Sequence, residues 1–148
     1  MGLLDADQQP PPSKLPRYLI AGVVFVLLLG AGVAWMFRFQ TEKNTVATFC
    51  DALAAGEMRK AYEIWKPSSR YTFEDFLEDW GPQGVYGPVK SWRIVTAQRL
   101  RNASGVIVVV EVSPYTPFPA DDDTEKHRLS KEARIWVERS DQSLGFPP

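Results

Sequence analysis

One carboxylate lies within an otherwise apolar stretch of the chain. Glu111 interrupts the valine-rich run that begins at Val106 and ends at Val112. A buried carboxyl group without a partner stays protonated at neutral pH, which makes it a candidate general acid or base. The alternative is a cross-strand ion pair with Arg93 or Arg134, which would give Glu111 a structural role. We favour the ion pair, since it needs no unusual environment.

Large aromatic side chains are numerous for a chain of this length. Five Trp, five Tyr and eight Phe occur among 148 residues. Such residues line pockets for apolar or cyclic ligands, and they also fill ordinary protein cores. The candidate ligand-binding residues are Tyr62, Trp65, Tyr71, Trp92 and Glu111. Such side chains more often fill the core, so we favour a packed aromatic core over a ligand pocket.

Few residues are suited to nucleophilic or metal chemistry. Cys50 is the only cysteine, and the only histidine, His127, is far from it in sequence. We therefore expect an inert, buried thiol and a solvent-exposed histidine. Asp121, Asp122 and Asp123 offer oxygen ligands of the type that Ca²⁺ takes, but no glycine turns the chain there, and we expect a solvated loop.

No established catalytic motif occurs in the sequence. Zinc-type Cys/His spacing, HExxH, a phosphate loop, a dinucleotide fingerprint and a nucleophile elbow are all missing. We predict no catalytic residue, no metal and no cofactor. Charge is nearly balanced, with 17 Lys and Arg against 18 Asp and Glu. A nucleic-acid binder is expected to carry a basic excess or stripe, so no nucleic-acid partner is expected.

Three helices are predicted from one repeated apolar pattern at i, i+3, i+4 and i+7. The three stripes are Val46, Phe49, Cys50 and Leu53; Met58, Ala61, Tyr62 and Trp65; and Phe73, Phe76, Leu77 and Trp80. Gly56, Pro67 and Gly81 stand where each helix should end. Thr72 and Asp75 have the spacing of a capping box at the start of the third helix.

After residue 87 the pattern changes to the alternation of strands. Residues 89–101, 105–113 and 128–139 are rich in Val, Ile and Trp and read as three strands. A turn at residues 102–105 makes the first two a hairpin, and a long proline-containing loop precedes the third. Helices followed by antiparallel strands are typical of the α+β class.

The middle strand is apolar on both faces. Val106, Val108, Val110 and Val112 point to one side, and Ile107 and Val109 to the other. If helices cover the first face, something else should cover the second, where Val109, Arg134 and Trp136 are interface candidates. The C-terminal segment 143–148, a second copy of the chain and another protein are the three possible covers.

The region before this domain is strongly apolar. Residues 18–37 contain no charged side chain, with Lys14 and Arg17 before them and Arg38 after. A helix of about 20 residues spans the roughly 30 Å hydrocarbon core of a bilayer. We predict a disordered, proline-rich tail at residues 1–16, a transmembrane signal anchor at 17–38 and a domain at 39–148. No Gly or Pro separates Phe37 from Thr41, so the anchor is expected to continue into the first domain helix without a hinge.

The orientation of the anchor in the membrane is not indicated by the flanking charges, because equal numbers of basic residues lie before and after the apolar segment. A short tail before the first apolar segment favours a signal anchor, with the tail inside and the domain outside, in the periplasm. A cleaved signal peptide is the alternative, since residues 32–34 form an acceptable small-x-small site. A domain on the inner side, with a cytoplasmic partner, is the third possibility.

The order of elements and the phrase "FCDALAAGEMRKAYEIW" resemble the NTF2-like (SnoaL-like, cystatin-like cone) superfamily over residues 41–139. The resemblance implies about three helices packed on a curved antiparallel sheet. Such folds serve isomerases, dehydratases, ligand-binding modules and assembly domains, so fold alone gives no activity. We expect a membrane-tethered, non-catalytic binding or assembly module that acts as a homodimer or with an envelope protein. The alternative is a small-ligand-binding protein or a pocket enzyme of isomerase or hydrolase type that uses Glu111.

Overall fold

A computed structural model of the chain describes residues 12–148. Most of the predicted disordered tail therefore lies outside the described residues. The chain divides into two compact units, with the division after Arg38, and we describe each by itself.

The first unit contains one helix, α1 (Leu15–Met36). Its 22 residues, with Pro16 in the first turn, give a length of about 33 Å at 1.5 Å per residue. None of its side chains is buried. This helix is long and apolar enough to cross a membrane, a property it shares with signal sequences. The sequence-based prediction of an apolar helix in this place is confirmed.

The helical backbone is interrupted between the two units. α1 ends at Met36, and the next helix begins at Gln40. Phe39, just before Gln40, has a φ of 62°, in the left-handed region. The expectation of a helix without a break does not hold at these residues, although no Gly or Pro is present. The side chain of Phe39 packs against the core of the second unit, which supplies a physical reason for the break.

The second unit begins with the three predicted helices, α2 (Gln40–Ala54), α3 (Met58–Trp65) and α4 (Phe73–Trp80). Their predicted stripes face the core, with Phe49, Trp65, Phe76 and Trp80 all at most 3% exposed. The capping box of α4 is also present. Thr72 Oγ1 accepts from the Asp75 N–H at 3.2 Å, and the Thr72 N–H donates to Asp75 Oδ2 at 2.8 Å.

The sheet has four antiparallel strands in the order β1, β2, β3, β4. The strands are β1 (Ser91–Gln98), β2 (Gly105–Ser113), β3 (Lys131–Glu138) and β4 (Leu144–Gly145). A register shift between Ile94 and Thr96 marks a β-bulge in the edge strand β1. The short helix α5 (Thr124–His127) lies in the loop between β2 and β3. The predicted α+β class is confirmed, while β4 and α5 were not predicted.

One side of the sheet forms the core with the helices. Val106, Val108, Val110 and Val112 of β2 are at most 1% exposed and belong to the same buried cluster as the helix stripes. Beside them lies an aromatic layer whose ring centroids are 4.7 to 6.5 Å apart. Its members are Phe49, Tyr62, Trp65, Tyr71, Phe73, Phe76, Trp80, Tyr86 and Phe146. Close-packed rings of this kind fill the space under the helices.

Candidate functional site

The side of the sheet that does not belong to the core cluster is the outer face. Alternation along β2 assigns Ile107, Val109 and Glu111 to it. Their cross-strand neighbours are Gln98, Thr96 and Arg93 on β1 and Trp136, Arg134 and Glu132 on β3. The interface candidates Val109, Arg134 and Trp136 are therefore adjacent on one surface.

The centre of the outer face is apolar and its margin is charged. Ile107 and Val109 are 7% and 6% exposed, yet neither belongs to the core cluster beneath the helices. Trp136, opposite Ile107, is half-buried, and Arg134, opposite Val109, has a side chain 65% exposed. Trp and Arg are the residue types that most often dominate protein-protein contacts.

Two residues of the C-terminal segment pack on the core side of the sheet. Leu144 belongs to the core cluster. The Phe146 ring packs against Trp65 and Trp80, at centroid distances of 5.2 and 6.2 Å, in the aromatic layer. Ile107 and Val109 are already buried within the chain, so a second copy or another protein would contact the more exposed Trp136, Arg134 and Thr96 beside them.

Glu111 forms the cross-strand pair that we favoured. Arg93 Nε donates to Glu111 Oε2 at 2.6 Å, and Arg93 lies directly opposite Glu111 in the register. A second carboxylate, that of Asp121, accepts from Arg93 Nη1 at 2.9 Å. These two bonds raise the pKa of Arg93 above its ordinary value, the bond with Glu111 having the larger effect. A carboxylate so closely bound to a guanidinium is a poor candidate for a free acid or base.

The loop between β2 and β3 closes over this end of the outer face. The Arg93 guanidinium lies 4.9 Å from the centroid of the Phe118 ring, and its Nη2 is 3.2 Å from His127 Nε2. The His127 side chain is 30% exposed and also lies 3.6 Å from Asp121. His127 is therefore only partly exposed to solvent, not fully exposed. The loop folds back onto Arg93, a path that alternation and composition do not reveal.

The candidate ligand-binding residues do not meet in one cavity. Trp65 is buried in the aromatic layer, whereas the Trp92 indole N–H donates to Asp51 Oδ1 at 3.0 Å. The Tyr62 hydroxyl donates to the backbone carbonyl of Tyr71 at 2.8 Å. Glu111 lies on the opposite side of the sheet.

Tyr71 has its own acceptor. Its hydroxyl donates to Asp79 Oδ2 at 2.6 Å. Burial and this bond both raise its pKa, burial having the larger effect, which disfavours a role as a proton donor.

The thiol and the acidic loop show structural roles. Cys50 is fully buried, and burial raises its pKa far above the ordinary value of a thiol. Asp121 binds Arg93, and Asp123 Oδ1 accepts from the Lys126 N–H at the start of α5. Within residues 12–148, no three His, Cys, Asp or Glu side chains are grouped as a metal site would require.

Three concavities lie around α2 and α3. One of about 590 Å³ is open to solvent and is formed by residues 56–60 and Glu63. An open groove of about 460 Å³ lies between α2, α3 and the turn before β4, and includes Thr45, Thr48, Lys66 and Gln142. Its polar groups are used internally, since the Thr45 hydroxyl donates to Gln142 and the Lys66 ammonium to the Asp141 carbonyl. A smaller cavity of about 170 Å³ lies beside Trp80.

No protein-family model, no curated protein and no solved structure matches this chain.

Proposed function

We propose that this protein is a single-pass membrane protein whose residues 39–148 form an NTF2-like domain that assembles with a second copy of itself through the outer face. The role is non-catalytic. The observation that carries the proposal is the half-buried Trp136 and the exposed Arg134, which lie beside Ile107 and Val109 on the side of the sheet away from the helices.

The composition of the outer face suits a second copy. The face carries two arginines, Arg93 and Arg134, and two glutamates, Glu111 and Glu132. In a twofold interface each surface meets its own copy, so a face with both charge signs is self-complementary, whereas a face of one sign would repel itself. Arg134 already pairs with Glu132 at 3.2 Å, and the same groups are available across a twofold axis.

Membrane attachment would favour assembly. Two domains held by anchors in one bilayer meet at a high effective concentration, so an interface of modest area suffices. The apolar helix α1 supports the anchor, and the proposal places the domain outside, in the periplasm. Protease accessibility in intact spheroplasts tests this orientation, because an external domain is digested without lysis.

Cross-linking tests the interface directly. Thr96 is exposed on the outer face, so Thr96→Cys in two copies should be joined by a short bismaleimide in native membranes. The single native cysteine is buried and does not compete. Ser69→Cys is the matched control, because Ser69 is exposed but lies outside the sheet. A Thr96→Cys product of dimer mass supports the proposal. A monomer contradicts it, and a product with a different protein would identify a heterologous partner instead.

A charge reversal tests whether the two copies contact each other through the outer face or through α1. Arg134→Glu places a third acid beside Glu132 and Glu111 and should convert the solubilised dimer to a monomer. Arg70→Glu changes an exposed arginine outside the sheet and should leave the mass unchanged. The mass is measured on the full chain in detergent by sedimentation. A dimer that survives Arg134→Glu would place the contact elsewhere.

A further inference from the structure

The end of the sheet that carries the turn between β1 and β2 lies beside the start of α2. Gly105, the first residue of β2, is paired with Glu138, the last residue of β3. Arg139 follows directly, and its Nε donates to Glu42 in the first turn of α2 at 3.1 Å. The turn at residues 99–104 and the first turn of α2 therefore belong to one end of the domain, here named the hairpin end.

The chain enters the domain at this same end. α1 ends at Met36 and α2 begins at Gln40. Because consecutive residues advance by at most about 3.6 Å, the start of α2 lies within roughly 14 Å of the end of α1. If α1 spans the bilayer, the chain therefore holds the start of α2 close to the lipid headgroups.

The hairpin turn presents a leucine between two arginines. Arg99, Leu100 and Arg101 are all exposed, Leu100 by 49%. The Ala103 N–H donates to the Leu100 carbonyl at 3.1 Å, and Arg99 Nε donates to the Ala103 carbonyl at 3.0 Å. Asn102 has a φ of 61°, in the left-handed region that such turns use. The apolar side chain and its two flanking cations are therefore held together at the tip of a closed turn.

The two arginines of the turn keep their charges available. Neither Arg99 nor Arg101 takes part in an ion pair within residues 12–148. The acids at the hairpin end are each bonded to another group; they are Glu42, Glu138 and Asp141, and their partners are Arg139, Ser104 and Ser143. A guanidinium without a carboxylate partner is suited to bind a phosphate group with two parallel hydrogen bonds.

The loop at the opposite end of the sheet, here named the loop end, differs in charge. Residues 114–130 leave and re-enter the sheet there, since Val112 is paired with Lys131. This loop holds four acidic and two basic residues, namely Asp121, Asp122, Asp123, Glu125, Lys126 and Arg128. An anionic surface should therefore bind the arginine turn in preference to this loop.

We propose that the hairpin end of the domain binds anionic phospholipid headgroups of the bilayer that holds α1. Arg99 and Arg101 donate to headgroup phosphates, and Leu100 enters the interfacial layer between them. Each arginine near an anionic bilayer surface strengthens the attachment by about fivefold. The inference rests on the proposed membrane anchor. It depends neither on self-assembly nor on the side of the membrane on which the domain lies.

Quenching by spin-labelled lipid measures the position of the hairpin end. The full chain carries Cys50→Ala and one cysteine labelled with the apolar fluorophore NBD, at Leu100→Cys or, as the matched control, at Val85→Cys. Both native residues are exposed and apolar, and Val85 lies at the loop end, where its carbonyl accepts from Lys131. The chain is placed in nanodiscs of phosphatidylcholine, with or without about 30% phosphatidylglycerol, and the quencher is doxyl-labelled phosphatidylcholine.

We expect the probe at position 100 to be quenched at least about threefold more in discs with phosphatidylglycerol than in discs without it. The probe at position 85 should be quenched little in either. Raising NaCl from about 0.1 to 1 M should remove the difference, because the Debye length falls from roughly 10 to 3 Å.

Two double substitutions separate the turn from total charge. Arg99→Gln with Arg101→Gln should lower the quenching at position 100 to the level seen in phosphatidylcholine alone. Lys90→Gln with Arg128→Gln removes two exposed cations at the loop end and should leave the quenching unchanged. Circular dichroism confirms that both variants are folded.

Three results would overturn the proposal. They are equal quenching at positions 85 and 100, quenching at position 100 that phosphatidylglycerol does not increase, and quenching that survives the substitution of both arginines. Discs that contain the chain but give one of these results overturn this proposal alone. A chain that does not co-elute with the discs overturns the membrane anchor as well.

Discussion

The Trp136 ring on β3 lies directly over the backbone of Gly105 at the start of β2. A Cβ atom on residue 105 would lie 2.5 Å from both Cε2 and Cζ2 of the indole and 2.6 Å from the carbonyl oxygen of Val137. The ring therefore covers a strand position where no side chain fits, an arrangement that protects a strand glycine and orients the tryptophan. Gly105 thus fixes how Trp136 is presented on the outer face.

Gly105→Ala should destabilise the domain and displace Trp136. The added methyl group meets both a ring and a backbone carbonyl, and overpacking of this kind costs about 1–3 kcal/mol of unfolding free energy. Denaturant unfolding followed by tryptophan fluorescence measures the loss. Gly145→Ala is the matched control, because a Cβ there meets nothing within 4 Å. Equal stability of the two variants would contradict the packing described.

Arg93→Leu should release the loop between β2 and β3. The guanidinium binds two carboxylates and contacts Phe118 and His127, so its loss removes the contacts that hold the loop to the sheet. We expect amide hydrogen exchange in residues 114–130 to accelerate by about tenfold, measured by mass spectrometry. Arg101→Leu, at an exposed position in the hairpin turn, should leave that exchange unchanged. An unaltered loop in Arg93→Leu would show that other contacts hold it.

The partner of Glu111 could not be chosen from the sequence, because the choice depends on the register of the strands. The sequence predicted a cross-strand pair of Glu111 with Arg93 or Arg134, but only the register decides which arginine lies opposite Glu111. Arg93 pairs with Glu111, whereas Arg134 lies opposite Val109. The β-bulge at Ile94 to Thr96 shifts this register, and nothing in the alternation predicts it.

The helices could be predicted because the apolar stripe and the capping residues of each helix lie within one short segment of the sequence. The apolar stripe of α4 and its Thr72–Asp75 box are complete within residues 72–80. The positions of His127 and Phe146 depend instead on the path of a loop and of the chain terminus, which are set by tertiary contacts.

Arg139→Met should destabilise the domain more than most substitutions at a partly exposed position. Its guanidinium Nε lies 3.1 Å from Glu42 Oε1, and the Glu42 side chain is only 7% exposed. Removing Arg139 leaves a buried carboxylate unpaired, at a cost of about 2 kcal/mol. Adding Glu42→Gln should recover part of this loss, which a double-mutant cycle measures. Lys60→Met, which breaks an exposed pair with Glu57, should cost under about 0.5 kcal/mol.

Asp75→Asn should destabilise the domain at neutral pH but not in acid. The backbone N–H and hydroxyl of Thr72 lower the pKa of Asp75, the backbone bond having the larger effect. A carboxyl whose pKa is lower when folded stabilises the protein above its unfolded pKa of about 3.9, and this contribution disappears as the pH falls through the folded value. Denaturation midpoints of parent and variant should therefore differ at pH 7 and converge near pH 2. A difference in denaturation midpoint that is the same at pH 7 and pH 2 would show that the charge of Asp75 does not strengthen its hydrogen bonds to Thr72.

Cys50 should react with thiol reagents only when the domain unfolds. The side chain is fully buried, and burial raises its pKa, so the thiol is protonated as well as inaccessible at pH 8. We expect labelling by a disulfide reagent to be at least ~100-fold slower than for the exposed Ser69→Cys, in a Cys50→Ala background. Labelling then reports global opening, so Gly105→Ala should accelerate it by about tenfold for every 1.4 kcal/mol of unfolding free energy that is lost. Immediate labelling of the native protein would show that α2 opens locally and would contradict a rigid core around Phe49 and Cys50.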